Sequence, residues 1–174
     1  MGAKFSLNIV TIRKWAIEIT LLIALVVAIT LWQTRDMHAT DGSVKIENTY
    51  MVSLEGATYP LLQDGRNTLV YFFAPWCSIC ALSIGSLESV DTTDIDIVVV
   101  ALDYDSIEAV QAFVEEHQVA SRVLLGTNEL KESFQIKGYP SYYILDESAH
   151  VVAKSFGFNT GIGIKLKQWL ATRS

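Results

Sequence analysis

The chain has 174 residues, enough for one domain and an appendage. Thirteen basic and 19 acidic side chains give a formal net charge of −6. Without the three basic residues and one acidic residue of positions 1–34, ten basic and 18 acidic side chains remain, a net charge of −8. An acidic domain repels phosphates, so we exclude nucleic acid as its partner and interpret the charge as solvated surface.

An apolar segment near the N-terminus explains much of the 51% hydrophobic content and the mean hydropathy of +0.31. It runs from Trp15 to Trp32 and contains one charged residue, Glu18. Eighteen helical residues span about 27 Å, close to the thickness of a bilayer core. We predict an uncleaved transmembrane anchor. The alternative is a signal peptide, but the segment is long for one and no convincing cleavage site follows.

The basic residues around this segment predict its orientation. Lys4, Arg13 and Lys14 precede it and only Arg35 follows closely, which favours a cytoplasmic N-terminus and an extracytoplasmic domain. The predicted parts are a short N-terminus with the anchor at 1–34, a polar linker at 35–49 and a folded domain at 50–174.

The most informative stretch is LVYFFAPWCSIC at positions 69–80. Its first five residues predict a strand that is buried on both faces, and Pro75 ends the strand. Trp76 follows, and then the only two cysteines of the chain, Cys77 and Cys80. Apolar residues at mostly helical spacing come next, so we predict a helix from Cys77 to about Ser89.

This arrangement favours cysteine chemistry. The N-terminus of a helix stabilises a thiolate, so Cys77 should ionise more easily than a free thiol, whose pKa is about 8.5. Cys80, one turn further on and more buried, would attack a mixed disulfide formed at Cys77. The spacer residues Ser78 and Ile79 are uncharged and would help to set the redox poise.

Three other roles for a cysteine pair fit less well. A structural zinc site needs about four ligands, and the three histidines, His38, His117 and His150, are scattered. Haem attachment needs a histidine directly after the second cysteine, where Ala81 stands. A purely structural disulfide that closes so short a loop would restrict the unfolded chain little.

FFAPWCSIC resembles the active-site segment of the thioredoxin superfamily, and IKGYPSYYILD at 136–146 resembles its loop that carries a cis-proline before a strand. The resemblance covers roughly residues 50–172. With the anchor, it extends to the TlpA/ResA branch of tethered bacterial thiol-disulfide oxidoreductases. The glycine-rich, Trp-containing C-terminal segment is most similar to the suppressor-of-copper-sensitivity D (ScsD) type.

The element order predicts a thioredoxin-like α/β fold, a three-layer sandwich with a central mixed sheet after one transmembrane helix. A hairpin around Glu55-Gly56 comes first, and a capping box of Asp105 and Glu108 begins the third helix, which runs to about His117. The predicted elements are a hairpin at 50–62, strands at 68–73, 95–102, 121–125, 142–145 and 151–155, and helices at 77–89, 105–117, 128–134 and 164–171.

The resemblance implies roles for specific residues. Cys77 and Cys80 would be the catalytic pair. Pro140 would be cis and pack against their disulfide, and Tyr139 would offer backbone hydrogen bonds to an incoming peptide. Trp76 would form a platform that limits access to Cys77. Together, Trp76, Tyr139 and Pro140 would bind the substrate. No metal ligand is predicted.

Two positions depart from the related proteins. Tyr71 stands where thioredoxin has a buried acid, six residues before the first active-site cysteine. Ser83 stands where the ResA type has a glutamate, three residues after the second cysteine. A carboxylate there could serve as general base for the resolving thiol. Water, a partner group or Tyr71 would have to replace it, and Tyr71 is also explained as plain core.

We therefore predict a membrane-tethered protein thiol-disulfide oxidoreductase, with reductase activity favoured. Its dithiol carries the two electrons, so no soluble cofactor is needed. The resemblance implies protein disulfides as substrates, a DsbD-like membrane electron donor and a periplasmic domain on the bacterial inner membrane. One alternative is a Cu(I)-binding metal-delivery module. Another is a peroxidase of the same fold, although no arginine-threonine motif surrounds either cysteine.

Overall fold

The computed structural model describes residues 9–158 and Gly163. The chain divides into two compact units, Met1–Arg35 and Asp36–Ser174. The helix predicted at 164–171 lies outside the described residues.

The first unit contains the helix α1, Ile9–Thr34. Its stretch Ile12–Thr34 contains an 18-residue window with a mean hydropathy of 2.2 and is long and apolar enough to cross a membrane. The hydroxyls of Thr20 and Thr30 donate to the carbonyl oxygens four residues earlier, so these polar groups are satisfied within the helix, as a lipid environment requires. The structure thus contains the helix that the sequence predicts for the anchor.

The second unit is built on a five-stranded mixed sheet. Its strands lie in the order β5-β4-β3-β6-β7, in which β3, β4 and β5 are parallel and β6 and β7 are antiparallel to their neighbours. The predicted thioredoxin-like α/β fold is confirmed. The strands are β1 Tyr50–Val52, β2 Thr58–Pro60, β3 Asn67–Phe73, β4 Ile95–Ala101, β5 Arg122–Leu125, β6 Ser141–Leu145 and β7 Val151–Phe156, and the helices after α1 are α2 Ser78–Ser83, a 3₁₀ helix Ile84–Ser89, α3 Ile107–Glu116 and α4 Asn128–Ser133.

Strand β3 lies at the centre of the sheet and is buried on both faces. Neighbouring residues of a strand point to opposite faces. Phe73 stacks on Phe113 of α3 with a centroid distance of 4.7 Å, and Phe72 packs on Phe134, at the end of α4, at 4.8 Å. Helical layers therefore cover both sides of the sheet, and the aromatic run that predicts this strand also holds both layers in place.

The hairpin predicted at the start of the domain is present. β1 and β2 pair antiparallel, and Gly56 in their turn has a φ of +84°, which glycine adopts without steric penalty. This two-stranded sheet is separate from the central one, although an isolated bridge joins Ser53 to Leu124 of β5.

The helix after the cysteines is shorter than predicted. Only Ser78–Ser83 is α-helical, and residues 84–89 form a 3₁₀ helix. The hydroxyl of Ser86 donates to the carbonyl oxygen of Ser83, and that of Ser89 to the carbonyl oxygen of Ser86. Serines three residues apart match the three-residue period of a 3₁₀ helix, and Gly85 weakens the α-helix between them.

The start of α3 also differs from the prediction. Ser106, not Asp105, is the N-cap, because its hydroxyl accepts a hydrogen bond of 3.2 Å from the Ala109 N–H. Both residue types are good caps, so a pattern of residue types alone places the helix start only to within one residue. Of the four residues predicted to face inward, Val110 and Phe113 are buried, and Ala109 and Val114 partly so.

Much of the predicted linker is packed on the domain. Met37 and Ile46 are buried, and Ile46 N–H donates to the carbonyl of Ala149 in the β6–β7 turn. The Asn48 side chain exchanges two hydrogen bonds with the backbone of Leu62. The predicted boundary at Tyr50 therefore falls after the domain has begun, because these contacts join residues far apart in sequence.

Candidate redox site

Cys77 is placed by the end of the central strand. After β3 the chain turns through residues 74–76, with the Cys77 N–H donating to the Ala74 carbonyl, and Cys77 becomes the N-cap of α2. The Cys80 N–H points at the Cys77 sulfur, with an N–Sγ distance of 3.2 Å. The two cysteines form a disulfide across a Cα–Cα distance of 5.2 Å, so the structure shows the oxidised form of the pair.

The two sulfur-bearing residues differ in accessibility. Cys77 is 8% exposed and Cys80 is fully buried. The surface around them is apolar, because Trp76, Ile79 and Leu82 are all exposed. Cys77 borders a surface groove and Cys80 does not, so Cys77 is the residue of the pair on the side that a partner approaches.

Trp76 lies on the surface but is held in place. Its side chain is 64% exposed, and its Nε1–H donates to the main-chain carbonyl of Asp103 at 2.8 Å. Asp103, in the loop after β4, has a φ of +48°, and its carboxylate forms an ion pair with Lys131 of α4. The Trp76 ring also meets the Tyr139 ring edge-on, with centroids 5.8 Å apart.

Tyr139 and Pro140 are joined by a cis peptide bond, as the resemblance implies. The Tyr139 side chain is 9% exposed and lies between the Trp76 ring and Lys131. Its hydroxyl is buried and makes no hydrogen bond of good geometry with a described residue. Burial, and then the nearby Asp103 carboxylate, raise the pKa of Tyr139 above its ordinary value. This side chain packs into the wall of the site.

The backbone of Tyr139 remains open. Neither its N–H nor its carbonyl forms a hydrogen bond with the part of the chain that the structure describes, whereas the Pro140 carbonyl accepts one from the Gly157 N–H. An extended peptide can use an open N–H and carbonyl in the way that a neighbouring strand does.

A buried hydroxyl pair lies beside Cys80. The Tyr71 and Ser83 hydroxyl oxygens are 3.0 Å apart, and each lies 3.4 Å from the Cys80 carbonyl oxygen. Both residues are fully buried. Burial raises the pKa of Tyr71, although its hydrogen bond with Ser83 acts in the opposite direction. A raised pKa keeps the Tyr71 hydroxyl protonated, which disfavours it as a base for the Cys80 thiol.

This pair was missed by sequence reasoning, which considered the two positions separately. Ser83 lies three residues after Cys80, on the same face of the helix, and Tyr71 faces α2 from β3. The helical spacing between Cys80 and Ser83 and the position of Tyr71 on β3 are the two sequence patterns that could have indicated this pair. The two positions at which the sequence departs from the resembling proteins thus meet in the fold, and both hold hydroxyl groups.

The histidines lie apart. His38 bonds to the Ser133 carbonyl, His117 packs edge-on against Phe113 and His150 lies 3.5 Å from an Asp146 oxygen. Among the described residues, no group of three or more His, Cys, Asp or Glu side chains could hold a metal ion. No His, Asp or Glu side chain of these residues therefore joins the cysteine pair as a third metal ligand.

Comparison with known proteins defines the class. The model of the AhpC/TSA family matches residues 38–154, and the chain belongs to this family. It is 30% identical over 93 residues to the thioredoxin-like protein YneN of Bacillus subtilis. That match covers 49% of this chain and 55% of YneN, so the chain spans about half the length of this curated relative.

Solved structures share the fold at low sequence identity. StoA from Bacillus subtilis is 20% identical with a TM-score of 0.62, over 71% of this chain and 96% of StoA. A thioredoxin-family thiol:disulfide interchange protein from Chlorobium tepidum is 19% identical with a TM-score of 0.64, over 74% and 95%. The thioredoxin domain of a thiol-disulfide oxidoreductase from Bacteroides vulgatus is 23% identical with a TM-score of 0.63, over 78% and 98%.

Proposed function

We propose that the protein is a membrane-tethered, extracytoplasmic protein thiol-disulfide oxidoreductase that acts as a disulfide reductase. One observation carries the proposal: the disulfide lies at the N-terminus of a helix, with Cys77 at the border of a surface groove and Cys80 fully buried. The apolar helix α1 supports the tether. The assignment to the tethered TlpA/ResA branch, and within it to the ScsD type, is part of this proposal.

The reaction starts from the reduced pair. The Cys80 N–H stabilises the Cys77 thiolate, which attacks one sulfur of a partner disulfide. A bond forms between Cys77 and the partner, the partner's own S–S bond breaks, and the leaving thiolate takes a proton from water. Cys80 then loses its proton to water and attacks the Cys77 sulfur. This re-forms the Cys77–Cys80 disulfide and releases the second partner sulfur as a thiolate, which takes a proton from water. The partner gains two electrons and two protons, which balance the two protons that Cys77 and Cys80 release to water.

The walls of the site bind the partner in this proposal. The open N–H and carbonyl of Tyr139 pair with the backbone of an extended segment, which supplies affinity with little demand on its sequence. The exposed ring of Trp76 packs against the partner beside the reacting sulfurs. Pro140 follows in the same loop and completes the binding surface.

The oxidised pair must be reduced again. We assign this step to a DsbD-like membrane dithiol, which would deliver two electrons by the same exchange chemistry. Such a donor in the bacterial inner membrane would reach an extracytoplasmic domain that is tethered to the same membrane. The dithiol itself is the only redox group that the cycle needs.

The reduction potential of the cysteine pair tests the proposed direction of electron transfer. The full chain in detergent micelles is equilibrated with glutathione buffers, and the change in tryptophan fluorescence, to which Trp76 beside the disulfide contributes, reports the redox state. Known couples run from about −270 mV for thioredoxin to about −120 mV for a strong oxidant. A potential below about −220 mV is expected for a reductase, and one above about −150 mV would overturn the proposed direction.

Variants of the two cysteines test the order of attack. Cys80→Ser should accumulate a mixed disulfide with a protein substrate, because the resolving sulfur is gone, and Cys77→Ser should accumulate none. A mixed disulfide that forms through Cys80 in Cys77→Ser would contradict the assignment. Both products are measured as mass shifts under non-reducing conditions.

The peroxidase alternative is tested in the same preparation. Among the described residues of the domain, the two arginines are engaged away from the cysteines: Arg66 donates to two backbone carbonyls and Arg122 stacks on the Tyr59 ring. We expect peroxide consumption no faster than that of a free dithiol. Rapid consumption that is lost in Cys77→Ser would favour the peroxidase.

A further inference from the structure

A groove opens beside Cys77, between the start of α2 and the helix α3. It has a volume of about 470 Å³. Trp76, Cys77 and Ser78 form one side, and Phe113 and Glu116 of α3 lie on the other. Tyr139 and Pro140 do not line it. The groove is therefore a separate surface from the backbone pairing site, and the reactive cysteine lies at its border.

The floor of the groove is apolar, and three of its positions carry alanine. Phe113 is 5% exposed and supplies an aromatic surface. Ala81 of α2 and Ala109 and Ala112 of α3 line the space. Because alanine reaches only one carbon beyond the backbone, these positions leave room for a side chain of another molecule next to Phe113.

The rim is negatively charged. Asp105 and Glu116 line the groove and are exposed, and neither forms an ion pair with a described residue. His117 also lines the groove, and no lysine or arginine is among the lining residues. A basic group that enters this groove meets two carboxylates, whereas an acidic group is repelled.

We propose that this groove binds the segment of a partner protein next to its reactive cysteine, and that it selects segments carrying a lysine or arginine beside a small apolar residue. The apolar residue packs on Phe113, and the basic group pairs with Asp105 and Glu116. This inference rests on the proposed disulfide reductase activity and names the substrate class of that site. The thiol-disulfide exchange is the one described above, with a dithiol as reductant.

The expected selectivity is modest. Ion pairs at an exposed rim contribute little each, so we expect each carboxylate to change the second-order rate constant of oxidation by about two- to fivefold between a basic and a neutral peptide. The acidic surface adds to this by raising the rate of encounter with basic partners. Both effects should weaken at high salt, since the Debye length falls to about 3 Å at 1 M.

The test uses three peptides that each contain one internal disulfide and differ only in a Lys, Gln or Glu beside it. The full chain in detergent micelles is first reduced with dithiothreitol, which is then removed, and oxidation by each peptide is followed by the change in tryptophan fluorescence. We expect rates in the order Lys, Gln, Glu at low salt. The double variant Asp105→Asn/Glu116→Gln should lose this order. Glu147→Gln, an exposed carboxylate in the β6–β7 turn, should keep it.

A second variant tests the floor. Ala112 is exposed on α3, so Ala112→Leu keeps good helix propensity while it fills part of the groove. We expect slower oxidation by all three peptides and an unchanged rate with hydroxyethyl disulfide, a small uncharged substrate that does not need the groove.

The outcomes separate the two proposals. Failure of the wild-type protein to react with hydroxyethyl disulfide would overturn the proposed function itself. Reaction with hydroxyethyl disulfide but equal rates with the three peptides would overturn the groove alone. A preference for Lys that persists in the double variant would also overturn it, since the selectivity would then come from another surface.

Discussion

The hydroxyl pair beside Cys80 allows a precise test of the packing under the redox site. Tyr71→Phe removes one hydroxyl and keeps the ring, so no cavity forms. Ser83 retains the Cys80 carbonyl as partner, and that carbonyl also accepts the Ile84 N–H. Nothing buried is therefore left without a partner. We expect a loss of about 1 kcal/mol in the free energy of unfolding, the net value of one hydrogen bond.

The double variant shows whether the hydroxyls act as a pair. Ser83→Ala should also lower the free energy of unfolding by about 1 kcal/mol, since Tyr71 keeps only its 3.4 Å contact with the Cys80 carbonyl. Tyr71→Phe/Ser83→Ala removes both partners together, so its loss should be about 1 to 1.5 kcal/mol rather than the sum of the single losses.

Chemical denaturation of the oxidised protein in micelles measures these values. The matched control is Tyr143→Phe, whose hydroxyl donates to the Phe134 carbonyl, away from Ser83. Its effect should add to that of Ser83→Ala. Full additivity of Tyr71→Phe and Ser83→Ala would refute the coupling, and a gain in stability in either single variant would refute the hydrogen bonds themselves.

Three further predictions concern the domain as a whole. Asn48→Ala removes both hydrogen bonds to the Leu62 backbone and should lower the free energy of unfolding by about 1 to 3 kcal/mol. Chemical denaturation measures this loss. An unchanged free energy of unfolding would show that the residues before Tyr50 are a spacer. Ser106→Ala should lower the free energy of unfolding by about 1 kcal/mol and Asp105→Ala by less, because Ser106 is the N-cap of α3. A larger loss in Asp105→Ala would instead support the capping box predicted from the sequence. Burial raises the pKa of Tyr143 to about 12, so the folded state keeps a proton that the unfolded chain releases near pH 10. The free energy of unfolding should then fall between about pH 10 and 12, by less in Tyr143→Phe, and an equal fall in both proteins would contradict this.

Local patterns predicted the central features of the domain. The aromatic run of β3, the glycine turn of the hairpin and the cysteine spacing each fix a local conformation, and the structure has all three. The features that escaped prediction are non-local or finely balanced. Tyr71 and Ser83 are 12 residues apart and meet only when α2 packs on β3. The change to a 3₁₀ helix after Ser83 follows from a small difference between two helical hydrogen-bond patterns.

The long-range contacts of residues 37–48 also escaped prediction because they are non-local. The polar composition of this segment is typical of a spacer, and only its few apolar residues, such as Met37 and Ile46, indicated burial. Their partners are in the second half of the domain, for example Lys154, whose Nζ bonds to the Met37 carbonyl. Such contacts depend on the completed sheet, which no window of sequence contains.

The attachment of Trp76 has a consequence for the thermodynamics of recognition. An exposed indole normally loses rotational freedom when a partner covers it, and this loss opposes binding. Here the ring is already held at Nε1 by the Asp103 carbonyl and at its edge by Tyr139. Asp103 itself adopts a left-handed backbone conformation, which is unfavourable for an aspartate. Its carboxylate pairs with Lys131 and its main-chain carbonyl accepts the Trp76 Nε1–H, and these two contacts stabilise the conformation. Trp76 therefore offers partners a preorganised aromatic surface, on which association carries little further entropic penalty.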